Sequence, residues 1–197
     1  MATEFELKYL ADEKALEALS RRFPGGRHIA MSTTYYDTRD SDLSARRWTL
    51  RRRQENDTFV CTLKTPAGSS LRRGEWEILC PKIEDAVAPL AKESDLAELA
   101  DLAAKGLRPV CSARFDRIAV SIAVGSSTAE LALDRGELLG SGRSIPLAEC
   151  EIELKSGSEE EIRIFADALA REYGLIPESR SKFARARALT QEDVHGI

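Results

Sequence analysis

Thr3-Glu4-Phe5-Glu6-Leu7-Lys8-Tyr9 alternates charge with bulk. In an extended strand successive side chains point to opposite faces. Glu4, Glu6 and Lys8 therefore share one face, and Phe5, Leu7 and Tyr9 share the other. Taken alone, this describes an ordinary surface strand with its charges in water. The pattern recurs, however, and the recurrence points to the fold. Glu149-Cys150-Glu151-Ile152-Glu153-Leu154-Lys155 repeats it with three glutamates in strict alternation, and Arg73-Gly74-Glu75-Trp76-Glu77-Ile78 repeats it with Arg73, Glu75 and Glu77 on one side. Thr128 to Asp134 places Glu130 and Asp134 on a common face.

The middle of the chain carries bases in the same register. Residues 46–53 read as a strand with Arg47, Thr49, Arg51 and Arg53 on one side and Trp48, Leu50 and Arg52 on the other. Phe59 to Lys64 follows, with Thr62 and Lys64 on one face, and Pro109 to Val124 reads as extended with Arg114 and Arg117 embedded in it. Acids thus gather in the first and last strands and bases between them. If the sheet closes into a barrel, the first and last strands become neighbours. Glu4, Glu6, Glu149, Glu151 and Glu153 then form one wall, facing Arg51, Arg53, Lys64 and Arg73.

An acidic wall turned outward repels itself and gains nothing. Turned inward it requires a cation, because buried charges are paired or bind metal. Carboxylates on rigid strands suit Mg²⁺ or Mn²⁺, and arginine forks suit phosphate oxygens. The two walls together describe a polyphosphate site whose inward faces offer mainly acids, bases and hydroxyls. The apolar face, with Phe5, Leu7, Trp48, Leu50, Leu63 and Trp76, is left for helices to cover.

Helix signals are spaced to do so. Asp12 is a candidate N-cap ahead of Ala15, Leu16 and Leu19, and Pro24-Gly25-Gly26 stops that helix. Ser32 to Thr38 is rich in strand formers. Residues 84–105 read as two short helices broken near Pro89 or Ser94-Asp95, with Gly106 as a stop. Ser158-Glu159-Glu160-Glu161 is a capping box for a helix through Ile162, Phe165, Leu169 and Tyr173 to Gly174. The tail from Ser179 to Arg185 is basic and helical at its end.

The 197 residues are 43% hydrophobic, enough for one core, and one domain over 1–197 is expected. A net charge of −4 argues against nucleic acid or anionic membrane as partner. No leader and no run of apolar residues long enough to span a bilayer is apparent. Cys61, Cys80, Cys111 and Cys150 form no metal-binding pair; they read as free thiols in a reducing cytoplasm, packed on the outer face under helices.

The ordered motifs resemble those of the CYTH proteins, the triphosphate tunnel metalloenzymes. Glu4-Phe5-Glu6-Leu7-Lys8 matches the E-x-E-x-K signature, Leu50-Arg51-Arg52-Arg53 matches L-R-x-R, Thr62-Leu63-Lys64 matches T-x-K, and Arg73 to Glu77 matches R-x-E-x-E. Tyr35-Tyr36-Asp37-Thr38 looks like the second strand, Glu130 to Asp134 and Glu149 to Gly157 like the last two, and Ser181-Lys182-Phe183 like a closing S-K motif. The set is most similar to the bacterial inorganic triphosphatase branch, without the CHAD domain that longer members append.

The resemblance implies an α+β fold: an eight-stranded antiparallel tunnel with helices packed outside. By motif match, Glu4, Glu6, Glu149, Glu151 and Glu153 serve the metal. Lys8, Arg51, Arg53, Lys64, Arg73, Arg117 and Lys182 bind phosphate oxygens. Glu75, Glu77, Glu130 and Asp134 hold those bases in place or position water. Catalysis engages Glu4, Glu6, Lys8, Glu151 and Glu153. Arg114 competes with Arg117 by parity, whereas Arg46, Arg52 and Arg72 read as outward, and His28 and His195 as uninvolved. The expected reaction is hydrolysis of tripolyphosphate to pyrophosphate and phosphate. The alternatives are a class IV adenylate cyclase, a non-catalytic polyphosphate or nucleotide binder, and thiamine triphosphate hydrolysis with stacking by Tyr35 or Tyr36. Homodimer formation is left open.

Overall fold

The computed structural model describes residues 2–67 and 69–190, and within them all side chains except those of residues 2, 3, 67 and 69–73. The chain runs β1 (Ala2–Leu10), α1 (Glu13–Arg22), β2 (Arg27–Asp37), α2 (Asp42–Ala45), β3 (Thr49–Glu55), β4 (Thr58–Ala67) and β5 (Ser69–Leu79). It continues through α3 (Ile83–Ser94), α4 (Glu98–Ala104), β6 (Arg108–Val124), β7 (Ser127–Gly140), β8 (Arg143–Ser156), α5 (Glu159–Tyr173), β9 (Ile176–Pro177) and α6 (Lys182–Ala188). The strands form one nine-stranded antiparallel sheet, ordered β5-β4-β3-β2-β6-β7-β8-β1-β9. β1 divides its pairing: Glu6 to Leu10 lie against β8, and Ala2 to Phe5 lie against β5. The first strand therefore sits beside the last long strand, the neighbour expected of it on closure of the sheet.

The outward positions of the strands are covered by helices. Phe5, Tyr9, Leu131, Leu133, Cys150 and Ile152 pack with Leu16 and Leu19 of α1 and with Ile162 and Leu169 of α5. Asp12 caps α1, accepting from the Ala15 N–H at 2.7 Å, and Ser158 caps α5, accepting from the Glu160 N–H. On the other side Trp48, Leu50, Cys61 and Leu63 pack with Ile83, Val87 and Leu90 of α3 and Leu99 and Leu102 of α4. The break between α3 and α4 falls at Asp95, which takes φ +58°. Pro89 stays inside α3. It sits on the exposed side, as does Asp85 one turn earlier, whose carbonyl loses its helical donor to the proline.

A third core departs from the expected polar interior. Ile29, Met31, Tyr35, Ala113, Phe115, Leu138 and Leu147 pack together with Ala186 of α6, and Phe183 lies against them. The inner side of the sheet is thus partly apolar, and α6 is seated on it. Cys111 belongs to this core and not to a helix-covered outer face, whereas Cys61 and Cys150 are outward and buried as expected. Cys80 is only half-buried. Among the described residues no helix is long and apolar enough to cross a membrane.

α6 is held at its far end by Asp37. This fully buried carboxylate accepts from the N–H groups of Thr38, Leu43 and Ser44, from the Ser44 hydroxyl and from Arg187 at 3.0 Å. Burial pushes its carboxyl up, but the bonds from Ser44, Leu43, Arg187 and Thr38 outweigh that and hold it below the ordinary value. A depressed folded pKa contributes stability above the unfolded value of about 4, lost as pH falls through the folded one. Asp37→Asn is therefore expected to cost about 1.5–3 kcal/mol at pH 7. The deficit should shrink in urea melts near pH 3; a deficit independent of pH would show that the charge is not what matters.

Candidate active site

Glu4, Glu6 and Lys8 of β1 all line one cavity of about 300 Å³ on the inner side of the sheet. Arg51 and Arg53 of β3, Lys64 of β4, Glu75 and Glu77 of β5, Arg117 of β6, Glu130 of β7, and Glu151 and Glu153 of β8 line it as well. α6 contributes Lys182. Period-two alternation carried these side chains to the same side of their strands. Arg73 is opposite Glu4 in the β1–β5 register, but its side chain, like that of Arg72, lies outside the described residues, as does His195.

The basic side is built on β3 and its neighbours. Lys64 reaches Glu4 at 2.7 Å and Glu75 at 3.2 Å. Arg51 lies 3.5 Å from Glu75, and Arg53 lies 3.5 Å from Glu77 and also pairs with Glu55. Glu75 thus pairs with Lys64 and Arg51, and Glu77 with Arg53. The Nε donors of Arg51 and Arg53 are nevertheless buried without an acceptor among the described residues. Burial and the neighbouring Arg51 lower the pKa of Arg53, so this cation is short of negative charge. Arg51 is also penalised by burial, but Glu75, Tyr35, Glu77 and Glu4 raise its pKa.

The acidic side divides into two groups. Glu153 is opposite Glu6 in one register and opposite Glu130 in the other. Burial raises the Glu153 carboxyl; Lys155 at 2.7 Å offsets part of that, and Glu4 and Glu6 raise it further. Lys155 thus offsets only part of the cost of the Glu153 charge. Deeper in β8, Glu149 and Glu151 join Asp134 of β7, with one oxygen of each within 4.8 Å of the others. That spacing suits a metal, but the ammonium of Lys182 already lies among the three carboxylates, 2.7 Å from Asp134 and from Glu151 and in contact with Glu149. Arg117 grips Asp134 through two 2.7 Å bonds and reaches Glu151 at 2.5 Å. Burial opposes the charge on Lys182, yet Asp134, Glu151 and Glu149 raise its pKa well above the ordinary lysine value. Glu151 is held well below the usual carboxylate range, its burial outweighed by Lys182, Arg117 and Lys8.

Glu149, expected among the metal ligands, belongs to this Asp134–Glu149–Glu151 group and not to the cavity lining. It is fully buried, it does not line the cavity, and its oxygens are taken by Lys182 and Arg185. Alternation gave it the same parity as Glu151 but says nothing of depth along the strand, and here α6 covers it. Glu130 faces the cavity beside Glu153 and so adds to the acids, with no ion pair to a base among the described residues. Lys8 bonds Glu6 at 2.9 Å, and Glu6 and Glu151 raise its pKa against burial. Arg117, not Arg114, faces inward; Arg114 is exposed and 4.0 Å from Glu137. Arg46 and Arg52 point outward, to Glu98 and to the Pro81 carbonyl over the Phe59 ring. His28 is exposed. Arg47 leaves the expected inner row because it sits in a turn at φ +58° before β3 begins.

Some lining residues were not anticipated: Arg27, Ile29 and Met31 of β2, and Phe115 of β6. Arg27-His28-Ile29-Ala30-Met31 lacks strong strand formers at every position but follows directly on Gly25-Gly26, which was the available signal for an earlier strand start. Arg185 was also missed, although its three-residue spacing from Lys182 places both on one side of a helix.

The family model for the CYTH domain matches residues 2–186. The chain belongs to the CYTH family. A relative, the inorganic triphosphatase of Haemophilus influenzae, is 31% identical over 165 residues, 82% of this chain and 46% of that protein. The chain spans about half the length of this curated relative. Among solved structures, a Hippeastrum protein described as an adenylyl cyclase candidate with dominant triphosphatase activity superposes with TM-score 0.65 at 21% identity, covering 96% of this chain and 97% of that one. A Pyrococcus horikoshii protein gives TM-score 0.62 at 24% identity, covering 92% and 97%. An adenylate cyclase candidate from Bacillus halodurans gives 0.61 at 22%, covering 94% and 98%. At these identities the structural likenesses establish the CYTH fold and not the reaction.

Proposed function

We propose that the chain is a metal-dependent inorganic triphosphatase, in which β1 to β8 wrap into a closed tunnel around the cavity. The observation that carries this reading is the pair of buried guanidinium groups of Arg51 and Arg53. Their Nε donors lack acceptors among the described residues, and they face the same cavity as the carboxylates of Glu4, Glu6 and Glu153, of which Glu153 is held above its ordinary value by burial. Unpaired buried donors that line a cavity suit an anionic ligand, and carboxylates clustered beside them suit a cation. A polyphosphate bound with a divalent metal supplies both.

The donor set fits Mg²⁺ or Mn²⁺, since all the side chains offered are carboxylates. Glu4, Glu6 and Glu153 would hold the ion, which when bound neutralises the charge that grows on phosphoryl oxygens. Lys8, Lys64, Arg51, Arg53, Arg117 and Lys182 bind and orient the triphosphate, with Arg73 a further candidate on the β5 side. Water attacks the terminal phosphorus in line, and pyrophosphate leaves. Positioning and charge stabilisation supply the rate enhancement.

The inner apolar stripe of Ile29, Met31 and Phe115 gives a second reading some support, because a nucleobase could lie against it. Substrate preference separates the two. Tripolyphosphate offers charged terminal oxygens where ATP carries a nucleoside. Each additional oxygen paired with arginine in a dry site is worth about 1.5–3 kcal/mol, or roughly ten- to a hundredfold. kcat/KM for tripolyphosphate is expected to exceed that for ATP by at least about tenfold, with no cyclic AMP formed. Equal efficiency, or cyclic AMP as the main product, would transfer the assignment to a nucleotidase or a cyclase.

A further inference from the structure

α6 presents Lys182 and Arg185 to the two oxygens of one carboxylate: Lys182 Nζ meets Glu149 Oε1, and Arg185 meets Glu149 Oε2. Lys182 faces the cavity, whereas Glu149 and Arg185 do not. Glu149 is fully buried, and Arg185 is 6% exposed. We infer that Arg185 is a positioning residue that acts through Glu149 to hold the ammonium of Lys182 ready for phosphate. The inference rests on the triphosphatase reading only for what that ammonium binds.

The charge balance explains the need for it. Asp134, Glu149 and Glu151 carry three negative charges around one ammonium. Arg117 engages Asp134 and Glu151, and Arg185 engages Glu149, so three cations meet three anions. Without Arg185, Glu149 is a buried carboxylate with Lys182 as its one ion-pair partner among the described residues. The ammonium is then drawn to Glu149, and less of its field reaches the cavity. With Arg185 present, Glu149 divides its charge between two cations. Arg185 therefore matters to ligand binding only while Glu149 is charged, whereas a purely structural ion pair would couple in stability and leave Kd unchanged.

The test is a double-mutant cycle read by calorimetric binding of tripolyphosphate and by steady-state kinetics. Arg185→Met is expected to weaken tripolyphosphate binding about tenfold, in Kd and in KM, with kcat within about threefold. Arg185→Lys, which keeps the charge, should recover part of the loss. In a Glu149→Gln background, adding Arg185→Met should change Kd by less than about threefold. If Arg185→Met alone does not fold, Arg185→Lys carries the test in both backgrounds: a loss in Kd that disappears in the Glu149→Gln protein supports the inference, and an unchanged Kd in both, or an equal loss in both, overturns it. The same tenfold loss in both backgrounds, or no loss in either, overturns the inference. Binding and coupling without hydrolysis would overturn the triphosphatase reading and leave the inference standing. A wild-type protein that binds no tripolyphosphate overturns both.

Discussion

Arg53→Met is expected to lower kcat/KM for tripolyphosphate by about a hundredfold or more, and to leave the ligand-free melting temperature level or higher. Arg53 is buried beside Arg51, its Nε has no acceptor among the described residues, and its pKa is lowered by burial and by that neighbour. In the free protein this cation costs stability, and methionine of similar reach fills the space without the charge. With a triphosphate bound, the same guanidinium makes charge-assisted bonds worth about 1.5–3 kcal/mol each. Two such bonds account for the predicted loss. A large drop in melting temperature with kcat/KM unchanged would make Arg53 a structural residue.

Glu153→Gln should behave in the same opposed way on the acidic side. Burial and the nearby Glu4 and Glu6 raise the Glu153 carboxyl despite Lys155. For an acid with a raised folded pKa, the ionised form is disfavoured by folding, so at pH 7 its charge subtracts from stability. In chelator, the glutamine variant is therefore expected to melt above the wild type. Added Mg²⁺ or Mn²⁺ should stabilise the wild type by mass action, by about 2.7 kcal/mol at a hundred times Kd. The variant should gain less than about half of that and lose hydrolysis about a hundredfold or more. Equal metal-induced gains in both proteins would remove Glu153 from the metal set.

Much of this site was legible in the sequence because a strand's side chains alternate with a fixed period. Glu4, Glu6, Lys8, Arg51, Arg53, Lys64, Glu151 and Glu153 needed only the parity of their strands. Parity also left Arg114 and Arg117 as rivals, and the β6–β7 register settled that by setting Arg117 against Asp134. Depth was not legible. Glu149 and Glu151 share a face, yet only Glu151 reaches the cavity, because a helix distant in sequence covers the other. The apolar stripe on β2 was hidden for a similar reason: Ile29 and Met31 are inward residues whose meaning depends on α6 packing against their sheet. Arg185 read as part of a basic tail because its partner, Glu149, is 36 positions away. The family-level motifs were clear in sequence, whereas the ion-pair network behind them is a tertiary property.

The most direct test of the central claim is phosphorus NMR of tripolyphosphate incubated with the purified protein and Mg²⁺ or Mn²⁺, with ATP in a parallel sample. Phosphate and pyrophosphate should appear in equal amounts, several-fold faster than any product from ATP, and should stop on chelation. Tripolyphosphate left intact while ATP yields cyclic AMP, or hydrolysis undiminished in metal-free buffer, would contradict it.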